Sequence, residues 1–161
     1  MLSRQYRVLA RGRVLQGVLW AVVGLGGVGW ATAAELDLRA VEFKTPDEIR
    51  WVRNAAGTSE QAVLYGDPSK PGPYVVRIRW LPGHMSRPHL HDQDRFFVVL
   101  SGTWWVGTGR QFDPAQTVPV PAGSYVVHHG GQVHYDGAKG EEAVIQVWGN
   151  GPVKTTQASA P

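Results

Sequence analysis

Residues 83–102 read GHMSRPHLHDQDRFFVVLSG, and this stretch contains His89 and His91, two imidazoles one residue apart. Residues i and i+2 of an extended strand project from the same face of a sheet. If the segment is a strand, both rings therefore converge on one side of the chain. A His-x-His pair alone is a weak indication of a metal site, but all six histidines lie between His84 and His134. This clustering makes His134 a candidate third ligand.

The surrounding sequence predicts an all-β protein. With 20 Gly and 11 Pro in 161 residues, short apolar segments are repeatedly interrupted by turns, a pattern typical of small barrels and sandwiches. Strands are predicted over residues 61–65, 74–81, 95–100, 103–106, 117–120, 124–127, 132–135 and 143–148. Ser101 and Gly102 are interpreted as the turn of a hairpin between two of these strands. The polar residues 156–161 are predicted to form a disordered tail.

The N-terminus predicts export. Residues 1–34 combine four arginines, an apolar stretch and small residues suited to cleavage, which together resemble a signal peptide. The apolar stretch is short against the ~20 residues that span a bilayer, so no stable membrane anchor is expected after cleavage. We therefore predict a periplasmic or secreted protein whose single domain covers residues 35–155. From Glu35 onward 12 basic residues face 13 acidic ones, which argues against a nucleic-acid partner.

Two motifs in this chain resemble those of the cupin superfamily. The first family motif, G-x5-H-x-H-x3-E-x6-G, matches from Gly83 to Gly102 in every spacing, with Arg95 at the Glu position. The second, G-x5-P-x-G-x2-H-x3-N, matches from Gly123 to Ala138, with His129 at the Pro position and Ala138 at the Asn position. The resemblance implies a single cupin barrel, also called a double-stranded β-helix or jelly roll.

The same resemblance implies a metal held by His89, His91 and His134. Imidazole ligands suit Zn, Fe, Ni and Cu, and Mn is possible with water ligands, so the identity of the divalent metal stays open. Without the family Glu, the site is similar to that of three-His cupins such as thiol dioxygenases and some lyases. Open coordination positions favour a catalytic over a closed structural site.

Arg95 has two interpretations. It projects beside the metal and anchors a substrate carboxylate or phosphate, or else a bulge turns it outward or it pairs with Asp92 or Asp94. A one-residue slip in strand register would instead let Asp94 supply the missing anionic ligand. His128 and His129 face opposite sides of a strand; one of them could line the cavity as an acid or base, although a position on the barrel rim is favoured for each.

Three possibilities remain open at this point, the last of them a vestigial site kept as a dimerisation fold. The first is a metalloenzyme acting on a small anionic substrate through an open three-His site, with oxygenase or lyase chemistry. The second is a non-catalytic module that binds or senses a small ligand. Whether the chain is an enzyme is left undecided by the sequence. A homodimer is predicted only by analogy with the family.

Overall fold

The computed structural model describes residues 35–160, which fall into two compact units, residues 35–41 and 42–160. In the first unit the carboxylate of Asp37 accepts hydrogen bonds from the backbone and side chain of Arg39. The predicted signal peptide, residues 1–34, lies outside the described residues. Within 35–160, no helix combines the length and the apolar character needed to span a bilayer.

Residues 42–160 form eleven strands and two short 3-10 helices. The strands are β1 (Val52–Arg53), β2 (Ser59–Tyr65), β3 (Gly72–Trp80), β4 (His89–His91), β5 (Arg95–Ser101), β6 (Thr103–Thr108), β7 (Val118–Pro121), β8 (Tyr125–His128), β9 (His134–Gly137), β10 (Ala143–Gly151) and β11 (Thr155–Gln157). The 3-10 helices are Pro46–Glu48 and Pro114–Gln116.

The strands form two antiparallel sheets. One has the order β1-β2-β3-β10-β5-β8, and the other has the order β11-β4-β9-β6-β7. Alternating residues of β3, β5 and β10 are buried and pack in one core cluster with Trp104 of the second sheet. The period-two pattern of these strands explains this burial, because successive side chains point to opposite faces. The predicted all-β jelly-roll architecture is confirmed.

The predicted hairpin at Ser101 and Gly102 is wrong. β5 pairs with β8 and β10, whereas β6 pairs with β7 and β9. The chain therefore passes from one sheet to the other at Gly102. This residue has a φ of +68°, and a Cβ there would collide with the backbone oxygen of Glu142. Only glycine fits this crossing without strain.

The predicted disordered tail is wrong in its first part. Thr156 and Gln157 lie in β11, which pairs antiparallel with β4. Thr155, the first residue of β11, is the register partner of His91. The β-branched threonines suit a strand, and pairing satisfies backbone groups that would otherwise leave β4 as an open edge. β11 therefore completes the sheet beside the His-x-His pair.

Candidate metal centre

The imidazoles of His89, His91 and His134 converge on the inner face of the second sheet. Alternation along β4 turns both of its histidines inward, and each is at most 9% exposed. His134 is the direct register partner of His89 across β4 and β9. Ring centroids lie 5.0 Å apart for His89–His91, 4.5 Å for His89–His134 and 5.4 Å for His91–His134. One nitrogen from each ring lies within 4.8 Å of the others. The three predicted ligands are thus brought together.

Backbone carbonyls fix the orientation of two of the rings. Nδ1 of His89 lies 2.8 Å from the carbonyl oxygen of Arg87, and Nδ1 of His134 lies 3.1 Å from that of Gln132. A carbonyl oxygen only accepts, so each Nδ1 carries the proton and donates it. Nε2 of His134 is buried and has no hydrogen-bond partner in the described part of the chain. Orientation through one ring nitrogen, with the other left available, is the usual arrangement of metal-bound histidine.

The ring of His91 is oriented by a hydrogen bond to a residue of β11. Its Nδ1 lies 3.0 Å from Oγ1 of Thr155, the residue opposite it in the strand register. Its Nε2 lies 2.6 Å from Nη1 of Arg95. A guanidinium only donates, so Nε2 of His91 accepts this hydrogen bond and Nδ1 donates to the threonine hydroxyl. Sequence reasoning missed Thr155, because 64 residues separate it from its partner.

Arg95 turns inward, toward His91. It pairs with neither Asp92 nor Asp94, and none of the ion pairs among residues 35–160 involves it. Its Nε is buried without a hydrogen-bond partner in the same residues. A partly buried cation without a carboxylate partner is costly unless an anion binds it. The alternative pairing with Asp92 or Asp94 is therefore wrong, and the role of Arg95 as an anion anchor stays a prediction.

Asp94 does not supply a metal ligand. Its carboxylate accepts a hydrogen bond from the backbone N–H of Gly130 at 2.8 Å and lies 3.6 Å from Nδ1 of His129. The side chains of Asp94 and His129 are 52% and 70% exposed. β5 keeps its register here, with Arg95 paired to His128. The predicted register slip is therefore wrong, and both exposed side chains lie apart from the three-His cluster.

Two further buried residues adjoin the centre. His128 is 6% exposed, its ring lies 3.9 Å from that of His134, and neither of its nitrogens has a hydrogen-bond partner in the described residues. Asp136 is also 6% exposed and accepts a hydrogen bond from Nε1 of Trp104 at 3.1 Å. His128, His134 and Asp136 form a second group of possible ligands. The favoured rim position of His128 is wrong, and Asp136 stands at a variable position of the second family motif.

The surroundings hold several histidines in the neutral form. Burial lowers the pKa of His91 to about 3, with further lowering by the positive charge of Arg95. Burial lowers the pKa of His128 to about 2. The pKa of His134 is also lowered by burial, although the carboxylate of Asp136 works in the opposite direction. Neutral imidazole is the form that binds metal.

A cavity of about 330 Å³ adjoins the centre, and His91 and Arg95 form part of its wall. The other lining residues are mainly small polar or apolar ones. They are Gln61, Pro68, Ser69, Tyr74, Val76, Ile78, Val153 and Thr155. Arg95 is the only charged residue among the described residues that line it. The cavity lies at the small end of the range for ligand sites.

Comparisons with solved structures identify the fold. The polyketide cyclase RemF from Streptomyces resistomycificus is 17% identical, with a TM-score of 0.58 over 74% of this chain and 87% of that one. A double-stranded β-helix protein from Klebsiella pneumoniae is 22% identical, with a TM-score of 0.56 over 74% and 98%. A cupin-2 domain protein from Rhodospirillum rubrum is 15% identical, with a TM-score of 0.56 over 74% and 80%.

These similarities show the fold: the chain adopts the cupin architecture that its two motifs predict. The sequence matches no protein-family model and no curated protein. A shared fold does not imply a shared function, which depends on the residues of the site.

The residues present fit a divalent transition metal. Three imidazoles converge, two of them are oriented through Nδ1 by carbonyl oxygens, and Nε2 of His134 is buried without a partner in residues 35–160. Zinc and similar ions bind imidazole nitrogen at ~2.1 Å and keep an open position when only three protein ligands are present. At His91 the lone pair of Nε2 is already engaged by Arg95. Metal binding at all three rings thus requires Arg95 to move.

Proposed function

We propose that this chain is a metal-binding cupin protein that acts on a small organic anion through an open three-His centre. The observation that carries the proposal is the convergence of His89, His91 and His134 beside a cavity whose wall contains Arg95. The proposed ligand is a divalent transition metal, and the proposed chemistry is of the oxygenase or lyase type.

Each residue has a defined role in this proposal. When bound, the metal would supply Lewis acidity to an oxygen of the substrate. The carbonyl oxygens of Arg87 and Gln132 and the hydroxyl of Thr155 hold the three imidazoles in orientation. Arg95 offers parallel N–H donors that match a carboxylate.

Substitution of one ligand tests the metal assignment. We expect His134→Ala to remove bound metal, because it deletes one of the three ligands. The fold should survive, because His134 is not part of the apolar core cluster. His129→Ala is the matched control, since its side chain is 70% exposed and lies outside the centre. Elemental analysis of untagged protein gives the metal content, and circular dichroism checks the fold. Stoichiometric metal retained in His134→Ala would mean that the ligand assignment is wrong.

A second function is supported by the contact between Arg95 and His91. Because Nη1 of Arg95 lies 2.6 Å from Nε2 of His91, the observed arrangement is suited to binding an anion without a metal. In that case the chain is a non-catalytic module that binds or senses a small ligand. A thermal-shift screen of metals and organic acids separates the two functions. Stabilisation by an acid alone, lost in Arg95→Ala, supports the binding module; stabilisation that needs metal supports the metalloenzyme.

Export to the periplasm or the medium remains part of the proposal. It is supported by the signal-peptide-like composition of residues 1–34. N-terminal sequencing of the protein recovered from the periplasm or medium tests it: a start near residue 35 is expected, and recovery of the uncleaved chain in the cytoplasm would contradict it. The predicted homodimer likewise stays a prediction.

A further inference from the structure

We propose that Arg95 couples the three-His centre to the adjacent cavity, so that a metal ion and a small monocarboxylate each strengthen the binding of the other. This inference rests on the metal centre of the proposed function. It adds the class of ligand and an interaction between two binding events that neither motif predicts.

The coupling originates in one lone pair. Nε2 of His91 has a single lone pair in the plane of the ring, and it accepts the hydrogen bond from Nη1 of Arg95. The other nitrogen, Nδ1, is oriented toward Thr155. The same lone pair is the one that a metal shared with His89 and His134 requires. The hydrogen bond to Arg95 and the bond to the metal are therefore mutually exclusive.

Charge adds to this competition. The guanidinium cannot lose its proton, so a divalent ion at the centre faces a fixed positive charge nearby. None of the ion pairs within residues 35–160 neutralises Arg95, and its Nε is buried without a partner there. A carboxylate bound to the guanidinium would neutralise this charge and hold it away from His91. Anion binding thus removes both obstacles to the metal.

The cavity indicates which anion fits. Its volume of about 330 Å³ accommodates only a small molecule. Val76, Ile78 and Val153 give it an apolar wall, while Gln61 and Ser69 offer neutral hydrogen-bonding groups. A second carboxylate would find no cationic partner among the described lining residues. The ligand class is therefore a monocarboxylic acid with a short apolar body.

Thermodynamic linkage makes the effect reciprocal. If the carboxylate raises the affinity for metal by some factor, the metal raises the affinity for the carboxylate by the same factor. Coupling between two sites commonly amounts to about 5- to 150-fold. We expect a factor of about ten, at the lower part of this range, because one hydrogen bond and one charge are involved.

Calorimetric titration of Co²⁺ into untagged, metal-free protein tests the coupling, with propionate or the uncharged propionamide present at matched ionic strength. Propionate is expected to lower the Kd for Co²⁺ about tenfold, and propionamide is expected to leave it unchanged. Arg95→Met should bind Co²⁺ more tightly than the wild type without any anion and should show no response to propionate. Arg95→Lys keeps the charge but loses the planar fork, so its response should be weaker. Thermal unfolding of both variants verifies that they are folded.

The possible results distinguish failure of the coupling from failure of the three-His metal centre. If the wild type and Arg95→Met bind Co²⁺ with equal affinity and propionate changes neither, the coupling is overturned and the three-His centre stands. If a folded wild type binds no Co²⁺ with or without propionate, both the centre and the coupling are overturned. Stabilisation of the wild type by propionate alone, lost in Arg95→Met, would then assign the cavity to the metal-independent binding module.

Discussion

Arg95 and His128 are direct register partners across β5 and β8, and both side chains enter the barrel interior. Position 95 is the one at which the first cupin motif has Glu. The exchange therefore places a cation where the family has an anionic ligand, next to a buried histidine whose nitrogens have no partner in the described residues. Any negative charge that supports a metal must come from elsewhere, and Asp136 is the buried carboxylate nearby.

Restoring the family residue should strengthen metal binding. Arg95→Glu removes a positive charge beside the centre and adds a carboxylate ligand, so we expect the Kd for Zn²⁺ to fall by at least about tenfold. Calorimetric titration of metal-free protein measures this change. Arg95→Gln is the matched control, because it removes the charge without adding a ligand, and it should produce a smaller gain. Equal affinities in the wild type and Arg95→Glu would show that position 95 does not face the metal.

The contact between His91 and Thr155 should matter for metal affinity. Thr155→Val keeps the shape and the β-branch of the side chain but removes the hydroxyl that lies 3.0 Å from Nδ1 of His91. Loss of such an orienting contact commonly costs 10–100-fold in metal affinity, and we expect about tenfold here. Thr156→Val, on the opposite face of β11, is the control. If both valine variants bind metal like the wild type, the hydroxyl has no role in orienting the ring.

The sequence predicts the parts of the site that local periodicity determines. Alternation along β4 places His89 and His91 on one face, and the spacing of the second motif identifies His134. Thr155 could not be found this way, because its pairing with His91 depends on a strand contact between distant segments. The passage of the chain from one sheet to the other at Gly102 could not be predicted for a related reason. The sequence indicates a turn, but pairing between distant segments decides which strands become neighbours.

Asp136 is expected to support the metal through its charge. Its buried carboxylate counteracts the lowering of the His134 pKa, which shows that it stabilises positive charge at that position. Asp136→Asn removes the charge and keeps an oxygen that can accept from Nε1 of Trp104. We therefore expect metal affinity to fall by about tenfold with a small change in unfolding temperature. Unchanged affinity in a stable Asp136→Asn variant would exclude an electrostatic role.

Stability of the metal-free protein should decrease as the pH falls. In the unfolded chain histidine titrates near pH ~6.5, whereas burial lowers the folded-state pKa of His91 to about 3 and that of His128 to about 2. Below pH ~6.5 the unfolded state therefore binds protons that the folded state does not. The stabilisation is fully present above this pH and is lost progressively toward the folded-state values.

Between about pH 6.5 and about pH 5 the loss should amount to about 2 kcal/mol for each of these histidines. Urea unfolding at the two pH values measures it. His128→Phe should reduce the pH dependence, because the ring packs between Trp104 and Phe97 and has no hydrogen bond to lose. The same variant should be at least as stable as the wild type at neutral pH, since it removes two unsatisfied buried nitrogens. A free energy of unfolding that is flat over this range would contradict the assigned protonation states.

The side-chain environments of His128 and Arg95 could not be predicted from the motifs. Strand parity predicts that only one of His128 and His129 faces inward, but it does not distinguish a rim position from full burial against Trp104. Likewise, parity places Arg95 on the side of His91 but says nothing about its partner. Packing between the two sheets decides both, and it depends on residues from separate strands.

The three-His metal centre can be located in a crystal structure of Co²⁺-soaked, untagged protein, with anomalous differences recorded at the cobalt absorption edge. We expect one strong peak about 2.1 Å from Nε2 of each of His89, His91 and His134, with the Arg95 guanidinium displaced from His91. A peak held by other residues, or no peak while the 2.6 Å contact between Arg95 and His91 persists, would contradict this expectation.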